Sequence, residues 1–588
     1  MTTPVRHDVE LVATKVAADH GIDLASLWWV DRPDRAAVTA GVPGTVMAAA
    51  IGQTTGCPRF ENQMVEIIDQ DLPQAMRAGT LLARNSDGSR VALSSSGPIA
   101  DTPTLICTDR ELIQLLCQQR ADEFTYKAVH TLYDLSPEHS ARYVLSRRQL
   151  WYAAAMVLAL VAGLWLAPTI TVAAFLAVTN LFLLCAVVFK VVAVLAGVRE
   201  EPSVRPNVKR PANDDIPYYS VLAPVFREPE VVQHLAAALS RLDYPLDRIE
   251  ILLLIEEEDT ETPAALGDDI PGNLFAITVP ASQPQTKPKA CNWSLNFARG
   301  QHLVIYDAED VPDPDQLLIA LETFREPGNE DVLAVQAALD YWNDDHNAIT
   351  RLFALEYAWW FQFMLPGLSA LNVPIPLGGT SNHFRSQALR DIGGWDGFNV
   401  TEDADLGIRA AAEGWRIAII HSFTAEEASS RVKQFIKQRS RWIKGYEQSA
   451  LVRLRHPVEL ARMVGFRGLL SFVFLIAGTP FTFLVTPILW LLLLVELVAS
   501  PAWLEQIFAG IWGDLAFVNL VLINALVVWL NMFACTRRNR EKLIGWSLLN
   551  PVYWLLHSAA AYMATWELIR RPWHWQKTAH GLVSKGSD

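Results

Sequence analysis

The chain has 588 residues, too many for one ordinary core, and 51% of them are apolar. Several runs in its middle and C-terminal parts approach the ~20 residues that an apolar helix needs to cross hydrocarbon, so a membrane protein with soluble domains is expected. The net charge of −14 argues against nucleic acid as a partner, because phosphate binding rests on a basic surface, and leaves room for acidic sites that hold a cation. The cysteines Cys57, Cys107, Cys117, Cys185, Cys291 and Cys535 are scattered without metal-type pairs or a dense framework; they read as reduced thiols of cytosol-facing domains.

Residues 1–23 mix charged and apolar side chains with no uninterrupted hydrophobic core, so no secretory signal is expected and the N-terminus is assigned to the cytoplasm. Residues 1–145 read as a small α/β module, with an amphipathic helix at 109–119 and strands at 80–84 and 90–93. Two apolar runs, 150–166 and 171–195, separated by Pro168, predict a transmembrane hairpin within 146–200. Arg147 and Arg148 before it and Arg199 after it put both ends in the cytosol. Lys190 stands near the end of the second run and reads as a snorkelling lysine. A Pro-rich linker at 201–217 leads into a soluble stretch.

From 218 to 430 strands alternate with helices: 218–225, 231–242, 250–255, 303–307 and 332–338. Such alternation predicts a mostly parallel sheet whose ligands sit at the carboxyl ends of the strands. Residues 431–466 form a basic, amphipathic, interfacial stretch, and 467–569 holds apolar runs at 469–498, 507–533 and 543–569. Basic clusters at 537–542 and 570–577 both ask to be cytosolic. One span from each of the first two runs, with a re-entrant or interfacial element around Asn550 and Pro551, satisfies both, and leaves 570–588 as a cytosolic tail.

Four clusters carry chemistry. The first is the strand end 223–229, which holds Glu228, together with the acidic run 256–262, which holds Asp259. Carboxylates leaving adjacent strands can accept from a base N–H and from ribose hydroxyls, although an acidic solvated loop has the same composition. The second pairs Lys287-Pro288-Lys289 with Asp307-Ala308-Glu309-Asp310 at a strand end. An Asp-x-Glu pair there can hold Mg2+ or Mn2+ while the ion keeps positions for water and diphosphate, and a lysine adds a compact cation for the same phosphates. A departing nucleoside diphosphate gains charge in the transition state and needs both.

The third cluster is Gly378-Gly379-Thr380, then Gly393-Gly394-Trp395 and Thr401-Glu402-Asp403. Glycines admit close backbone approach to a substrate, and a carboxylate at the mouth can take a proton from an attacking hydroxyl. Thr401 followed by acidic residues also makes a good start for a helix at 406–413. The fourth is Gln438-Arg439-Ser440-Arg441-Trp442, where Gln438, Arg441 and Trp442 share one helical face. An indole suits stacking on a pyranose and Arg441 can reach diphosphate, while Lys433, Lys437, Arg439 and Lys444 read as the basic side of a membrane-surface helix.

In this order the motifs resemble the family 2 processive glycosyltransferases, the group of cellulose, hyaluronan and related synthases, most strongly over 218–445. The resemblance implies a GT-A-type α/β domain with α-helical transmembrane segments, a UDP-sugar donor and a divalent metal. It also implies roles: Glu228 and Asp259 near the nucleoside, Lys289 at the diphosphate, and Asp307 with Glu309 at the metal. Asp403 would be the general base, with Gln438, Arg441 and Trp442 on the acceptor side. Glu309 stands where many relatives have aspartate, and 256–259 replaces their usual paired aspartates. The segment 573–581 resembles a cytosolic tail of relatives that lies near the active site.

Residues 1–145 resemble the N-terminal domain of type II secretion ATPases. Some relatives of that module bind a cyclic dinucleotide, but the long leucine-and-glutamine repeat of those binders is absent here; docking or packing is the other expectation. The reading that follows is a multi-pass protein of the bacterial inner membrane with a cytosolic catalytic domain. It transfers sugar from a nucleotide-sugar to a growing glycan by single displacement, against the lipid bilayer and alongside export-complex proteins. Single transfer to a lipid carrier, or an inactive transferase fold serving as receptor or scaffold, are the alternatives.

Overall fold

The computed structural model describes residues 16, 41–61, 63–199, 216–267, 271–508, 510–536 and 540–575. The expected linker lies outside the described residues from 201 to 215, as do positions 1–15 and 17–40, the basic residues 537–539 and the tail beyond 575. The chain begins with α1 (Gly44–Thr55), β1 (Val65–Ile67), α2 (Leu72–Ala78), β2 (Thr80–Asn85), β3 (Arg90–Ser94), β4 (Thr104–Ile106), α3 (Asp109–Gln119) and α4 (Ala121–Leu135). The long helices α5 (Arg147–Leu166) and α6 (Pro168–Arg199) come next. Then follow β5 (Tyr219–Val225), α7 (Val232–Leu239), β6 (Ile249–Glu256), α8 (Glu261–Leu266), β7 (Leu274–Val279), α9 (Lys287–Leu295), β8 (His302–Ile305) and β9 (Val311–Pro312). After α10 (Gln316–Arg325) come β10 (Val332–Tyr341), α11 (Ala348–Trp359), β11 (Asn382–Arg385), α12 (Glu402–Ala412), β12 (Arg416–Glu426) and α13 (Val432–Arg453). The C-terminal part gives α14 (Pro457–Ser471), α15 (Gly478–Ala499), α16 (Ile511–Phe517), α17 (Asn524–Thr536) and α18 (Asn550–Arg570).

Two compact units result, one of residues 1–131, 207–322 and 380–394, the other of 132–206, 323–379 and 395–588. In the first, β7, β6, β5 and β8 lie side by side in parallel, and β11 joins β8 antiparallel with Asn382 opposite Ile305. Every residue of β6, Ile-Glu-Ile-Leu-Leu-Leu-Ile-Glu, is buried, as expected of a parallel strand covered on both faces. A second sheet, β1-β2-β3-β4, belongs to the N-terminal part of the same unit. Its helix α3 starts on a capping box, with Thr108 and Glu111 satisfying each other's backbone N–H.

That N-terminal part is fastened to the larger sheet by a buried charge network. The Arg299 guanidinium, 1% exposed, pairs with Asp109 at the start of α3 and donates Nε to Glu250 Oε2 at 2.6 Å. Glu250, on β6, also accepts from Ser220 Oγ on β5 at 2.5 Å and from the Arg299 N–H at 2.6 Å. Phe124 packs edge-on to Trp293 at 5.6 Å, and Asn292 Nδ2 donates to Ala128 O at 2.9 Å. The module is thus packed onto the sheet at least by these contacts.

In the second unit β10 and β12 pair in parallel. Among the described residues four helical stretches are long and apolar enough to cross a membrane: Arg147–Leu166, Pro168–Arg199, Pro457–Ala499 and Ile511–Thr536. The third is broken at Gly465, whose φ of 69° is left-handed. A Cβ on Gly197 would stand 2.0 Å from Phe363 O, and one on Gly367 1.8 Å from Ala193 O; such small residues let helix backbones touch. Asn519 Nδ2 donates to Asn180 O at 2.7 Å, a buried polar link between two of the apolar stretches.

Around Asn550 and Pro551, where a re-entrant or interfacial element is expected, the chain is helical. Residues 541–549 make a 3-10 stretch, and α18 is a regular helix of 21 residues. Its Tyr553, His557, Ser558 and Ala560 are buried, and its polar groups meet α13: Thr565 Oγ1 donates to Glu447 Oε1 at 2.5 Å, and Lys444 Nζ to Glu567 Oε2 at 3.0 Å. Polar side chains of this helix are thus turned onto a neighbouring helix.

Two expectations for stability follow. Gly445 on α13 meets Thr401, and an added Cβ would stand 1.8 Å from Thr401 Oγ1 and 2.6 Å from its Cβ. Gly445→Ala should therefore destabilise by about 1–3 kcal/mol through overpacking, read as a lower thermal midpoint; an unchanged midpoint contradicts this packing. Asp396, 1% exposed, accepts from Ala141 N–H at 2.5 Å and Ser140 Oγ at 3.1 Å, and burial, reinforced by Asp405, pushes its carboxyl up to about 6. Its folded value exceeds the unfolded one, so its contribution is complete below the ordinary carboxylate pKa and is lost as pH rises through about 6. Relative to wild type, Asp396→Asn should flatten the decline in stability from pH 4 to pH 7; parallel profiles would refute this.

Candidate active site

On the first unit the candidate donor-side residues leave the carboxyl ends of β5, β6 and β8. After β5, Arg227 stands at φ 54°, and its N–H donates to Asp259 Oδ2 at 2.5 Å, while the Glu228 N–H donates to Thr262 Oγ1 at 2.9 Å. Asp259 is 4% exposed and also accepts from Thr262 Oγ1 at 2.6 Å, Thr262 N–H at 3.0 Å and Glu261 N–H at 3.2 Å. Burial alone would raise its carboxyl; these donors, led by Thr262, hold it below the usual range. The carboxylate expected near a nucleoside is therefore engaged in tying two turns together, and the half-buried Glu228 is the acid that the β5 turn presents.

The two lysines of α9 divide in a way that their spacing did not reveal. Lys289 is fully buried and donates to Glu256 Oε2 at 2.6 Å and Pro280 O at 3.0 Å. Burial raises the Glu256 carboxyl despite the ammonium beside it. Lys287, at the first position of α9, pairs with Asp307 Oδ1. The lysine assigned to diphosphate by resemblance thus lies in the core, and its neighbour two residues earlier stands at the acidic turn.

In that turn Asp310 is 1% exposed and accepts from the Asp307 N–H at 2.7 Å and from the Thr380 hydroxyl. Burial, then the charges of Asp307 and Glu309, raise its carboxyl well above the ordinary value. Asp310 shapes the turn and leaves Asp307 and Glu309 half-buried at its surface. Among the described residues no three His, Cys, Asp or Glu form a ready metal group. Asp307, paired with Lys287, and Glu309 are the two carboxylates this turn could offer a hard cation, and such a cation, as at Mg2+ sites, would have to complete its sphere with water and phosphate. Gly394, expected to admit a substrate, is instead met by Asn292: a Cβ there would stand 2.5 Å from Asn292 Oδ1.

On the second unit Asp403 sits in the first turn of α12, which begins four residues earlier than expected, at Glu402. Thr401 makes no side-chain cap bond; its N–H is held by Asn399 Oδ1 at 3.0 Å. Of the three acids in this turn, Asp405 is buried and paired with Arg453 at 3.2 Å and Arg409 at 3.8 Å, and Glu402 is buried. Asp403 is half-buried, with Oδ1 on the Ala404 N–H at 2.8 Å. A Cβ on Gly379 would lie 3.4 Å from Asp403 Oδ2, and the Gly378 N–H donates to Gln336 Oε1 at 2.7 Å, so the double glycine runs closely past the acid. Tyr446 faces the same region: burial, then the Asp403 charge, raise its hydroxyl.

Helix α13 holds Gln438, Arg441 and Trp442, and Gln448 Oε1 accepts the Val400 N–H at 3.0 Å, linking this helix to the turn before Asp403. The Trp442 ring lies 6.4 Å from Tyr357 at 29°. The Arg441 guanidinium lies 4.8 Å from the Trp575 ring, and Trp573 Nε1 donates to Ala141 O at 3.0 Å, so residues 573–575 rest on this unit. Arg439 and Lys444, read from sequence as membrane-facing, are buried: Arg439 forks onto Glu356 at 2.9 and 2.6 Å. Lys433 and Lys437 remain exposed. An alternating basic and apolar sequence looks alike whether its charges meet lipid headgroups or buried acids.

Lys289→Met should strand Glu256 in the core and destabilise by roughly 3–5 kcal/mol, whereas Lys287→Met should change stability by about 1 kcal/mol or less. Chemical denaturation of both variants checks this, and equal losses would refute the division between the lysines.

Residues 302–536 match the family model described as glycosyl transferase family group 2. Among curated relatives, the beta-monoglucosyldiacylglycerol synthase of Trichormus variabilis is 27% identical over 241 residues, 40% of this chain and 50% of that protein. The "Probable glucomannan 4-beta-mannosyltransferase 10" of Arabidopsis thaliana is 26% identical over 248 residues, 39% of this chain and 43% of that protein. The chain thus spans about half the length of these curated relatives. A solved structure, the mannosyltransferase PcManGT from Pyrobaculum calidifontis in complex with GDP-Man and Mn2+, is similar over 67% of this chain and 99% of that chain, at 17% identity and a TM-score of 0.40. The sheet of the first unit is mixed and mostly parallel, and the family match covers residues 302–536.

Proposed function

We propose that the protein is a membrane-bound inverting glycosyltransferase that moves a sugar from a nucleotide-sugar, with UDP as the expected carrier, to a growing glycan. The observation that supports this most is the sorting of carboxylates. Asp310, Asp259 and Asp405 are buried in structural bonds, while Asp307, Glu309 and Asp403 stay half-buried where chemistry can reach them. On the donor side, Lys287 and the N-terminus of α9 receive the negative charge that builds on the leaving diphosphate. Mg2+ or Mn2+ held by Asp307 and Glu309 would supply further positive charge there. Asp403 takes the proton from the acceptor hydroxyl as it attacks, and one base acting once inverts the anomeric centre.

The Trp442 indole, backed by Tyr357 and Phe353, supports a glycan acceptor through stacking on a sugar face. A lipid-linked acceptor is the second reading, favoured by the diacylglycerol acceptor in the name of one relative. The four apolar helices and the arginines that flank the first two support a multi-pass inner-membrane protein with its catalytic domain in the cytosol.

Membranes carrying the wild-type chain should release UDP from one member of a panel of UDP-sugars. Asp403→Asn should lower that release by about 10²–10⁴-fold. Equal release from both proteins would overturn the catalytic reading, and analysis of the product separates glycan from lipid acceptor.

A further inference from the structure

Arg439 lies inside the Gln-x-x-Arg-Trp stretch but is neither its glutamine nor its arginine. It is 6% exposed and sits three residues before Trp442, on the same face of α13. Its guanidinium is gripped on two sides. In its plane, Nη1 and Nη2 donate to the two oxygens of Glu356 on α11, at 2.9 and 2.6 Å. Above and below it lie aromatic rings: Phe353 at 4.3 Å, Trp442 at 4.4 Å and Phe435 at 5.3 Å.

Glu356 is fixed in turn from α18, where Tyr553 Oη donates to its Oε2 at 2.8 Å and His557 Nε2 stands 3.6 Å away. Burial would raise the Glu356 carboxyl, but Arg439 first, and then His557 and Tyr553, bring it down to about 2. The carboxylate therefore stays ionised at any working pH. The result is a chain of contacts: Tyr553 orients Glu356, Glu356 fixes the plane of Arg439, and that plane carries one face of the Trp442 indole.

A buried ion pair is weak evidence for stability, because desolvation consumes most of its attraction. The pair is costly if packing were its only purpose, since apolar residues would fill the same space. The arrangement does what an apolar filling would not: it fixes both the position and the tilt of an indole from a rigid planar cation. We propose that Arg439 and Glu356 are positioning residues for the Trp442 platform, held in register from α18 by Tyr553, so that their loss impairs use of the acceptor while donor binding stays intact. This rests on the transferase reading above, in which Trp442 meets the acceptor.

The test uses the full-length protein in membranes and compares wild type with Glu356→Gln, Arg439→Lys and Tyr553→Phe. UDP release is followed with the donor found in the panel, first with water as the only acceptor and then with oligosaccharides cut from the enzyme's own product. Glu356→Gln should raise the KM for the oligosaccharide about 10-fold and leave the KM for the UDP-sugar and the water reaction near wild type. Arg439→Lys should not rescue, because an ammonium cannot fork onto a carboxylate and stack on a ring together. Tyr553→Phe, which removes a single hydroxyl, should shift the same constant in the same direction by a smaller factor, and it decides the matter if Glu356→Gln fails to fold.

An unchanged oligosaccharide KM in Tyr553→Phe and in the folded Glu356→Gln, or equal losses in donor use, water reaction and acceptor use, would overturn the proposal and leave the transferase reading standing. Wild-type membranes that release no UDP from any donor would overturn the transferase reading itself, and this inference with it.

Discussion

A charge taken out of water costs several kcal/mol unless a partner is built beside it, and in this chain such pairs stand directly behind the groups suited to chemistry. Lys289 and Glu256 lie in the core behind the turn where Lys287 meets Asp307. Asp405, with Arg453 and Arg409, lies one helical face away from Asp403. Arg439 and Glu356 lie behind Trp442. In each case an ionic contact is kept out of water; in the first two a residue of similar type is left nearer the surface, and in the third a buried guanidinium lies against an indole. The arrangement fixes where the reactive side chain starts, because its backbone is anchored by bonds that side-chain motion does not disturb.

Close backbone contact serves the same end. Gly445 meets Thr401 at a distance no Cβ would tolerate without movement, Gly379 passes Asp403 in ordinary van der Waals contact, and Gln448 reaches across to the Val400 N–H. The loop before α12 is therefore held against α13 by close packing and a hydrogen bond. On the other unit the Arg299 network does comparable work, connecting β5 and β6 through Ser220 and Glu250 to the start of α3. The same strands end in the turns that carry Glu228 and Asp259, so buried bonds connect the N-terminal part to the strands from which these candidate loops leave.

The alternation of strands and helices was legible because β5, β6 and β8 are apolar runs bounded by turn residues, and such runs have few other fates. The apolar stretches were legible for the same reason, as was the first-turn acidity that marks α12. What the sequence could not separate were residues of one type a short step apart. Lys287 and Lys289 differ only in which side of α9 they leave, and the helix phase that decides it is set by tertiary packing. Arg439 and Lys444 matched the pattern of a surface helix because their partners, Glu356 and Glu567, lie 83 and 123 residues away. Long-range pairing leaves no local trace, so buried cations were read as exposed ones.

The choice among three neighbouring acids illustrates how the fold resolves what composition leaves open. Glu402, Asp403 and Asp405 occupy one turn, and any of them could act as a base on chemistry alone. At about 100° per residue the side chains of Asp403 and Asp405 leave the helix roughly 200° apart, so packing that buries one exposes the other. The arginines sit on the Asp405 side: Arg453 comes from α13 and Arg409 from the next turn of α12, and together they neutralise Asp405 in the core. The glycine pair runs on the Asp403 side, where the absence of side chains leaves space for a hydroxyl to approach. Asp405 spends its charge on those internal cations and Glu402 is buried, whereas Asp403 is half-buried, which is why the proposed reaction gives Asp403 the proton.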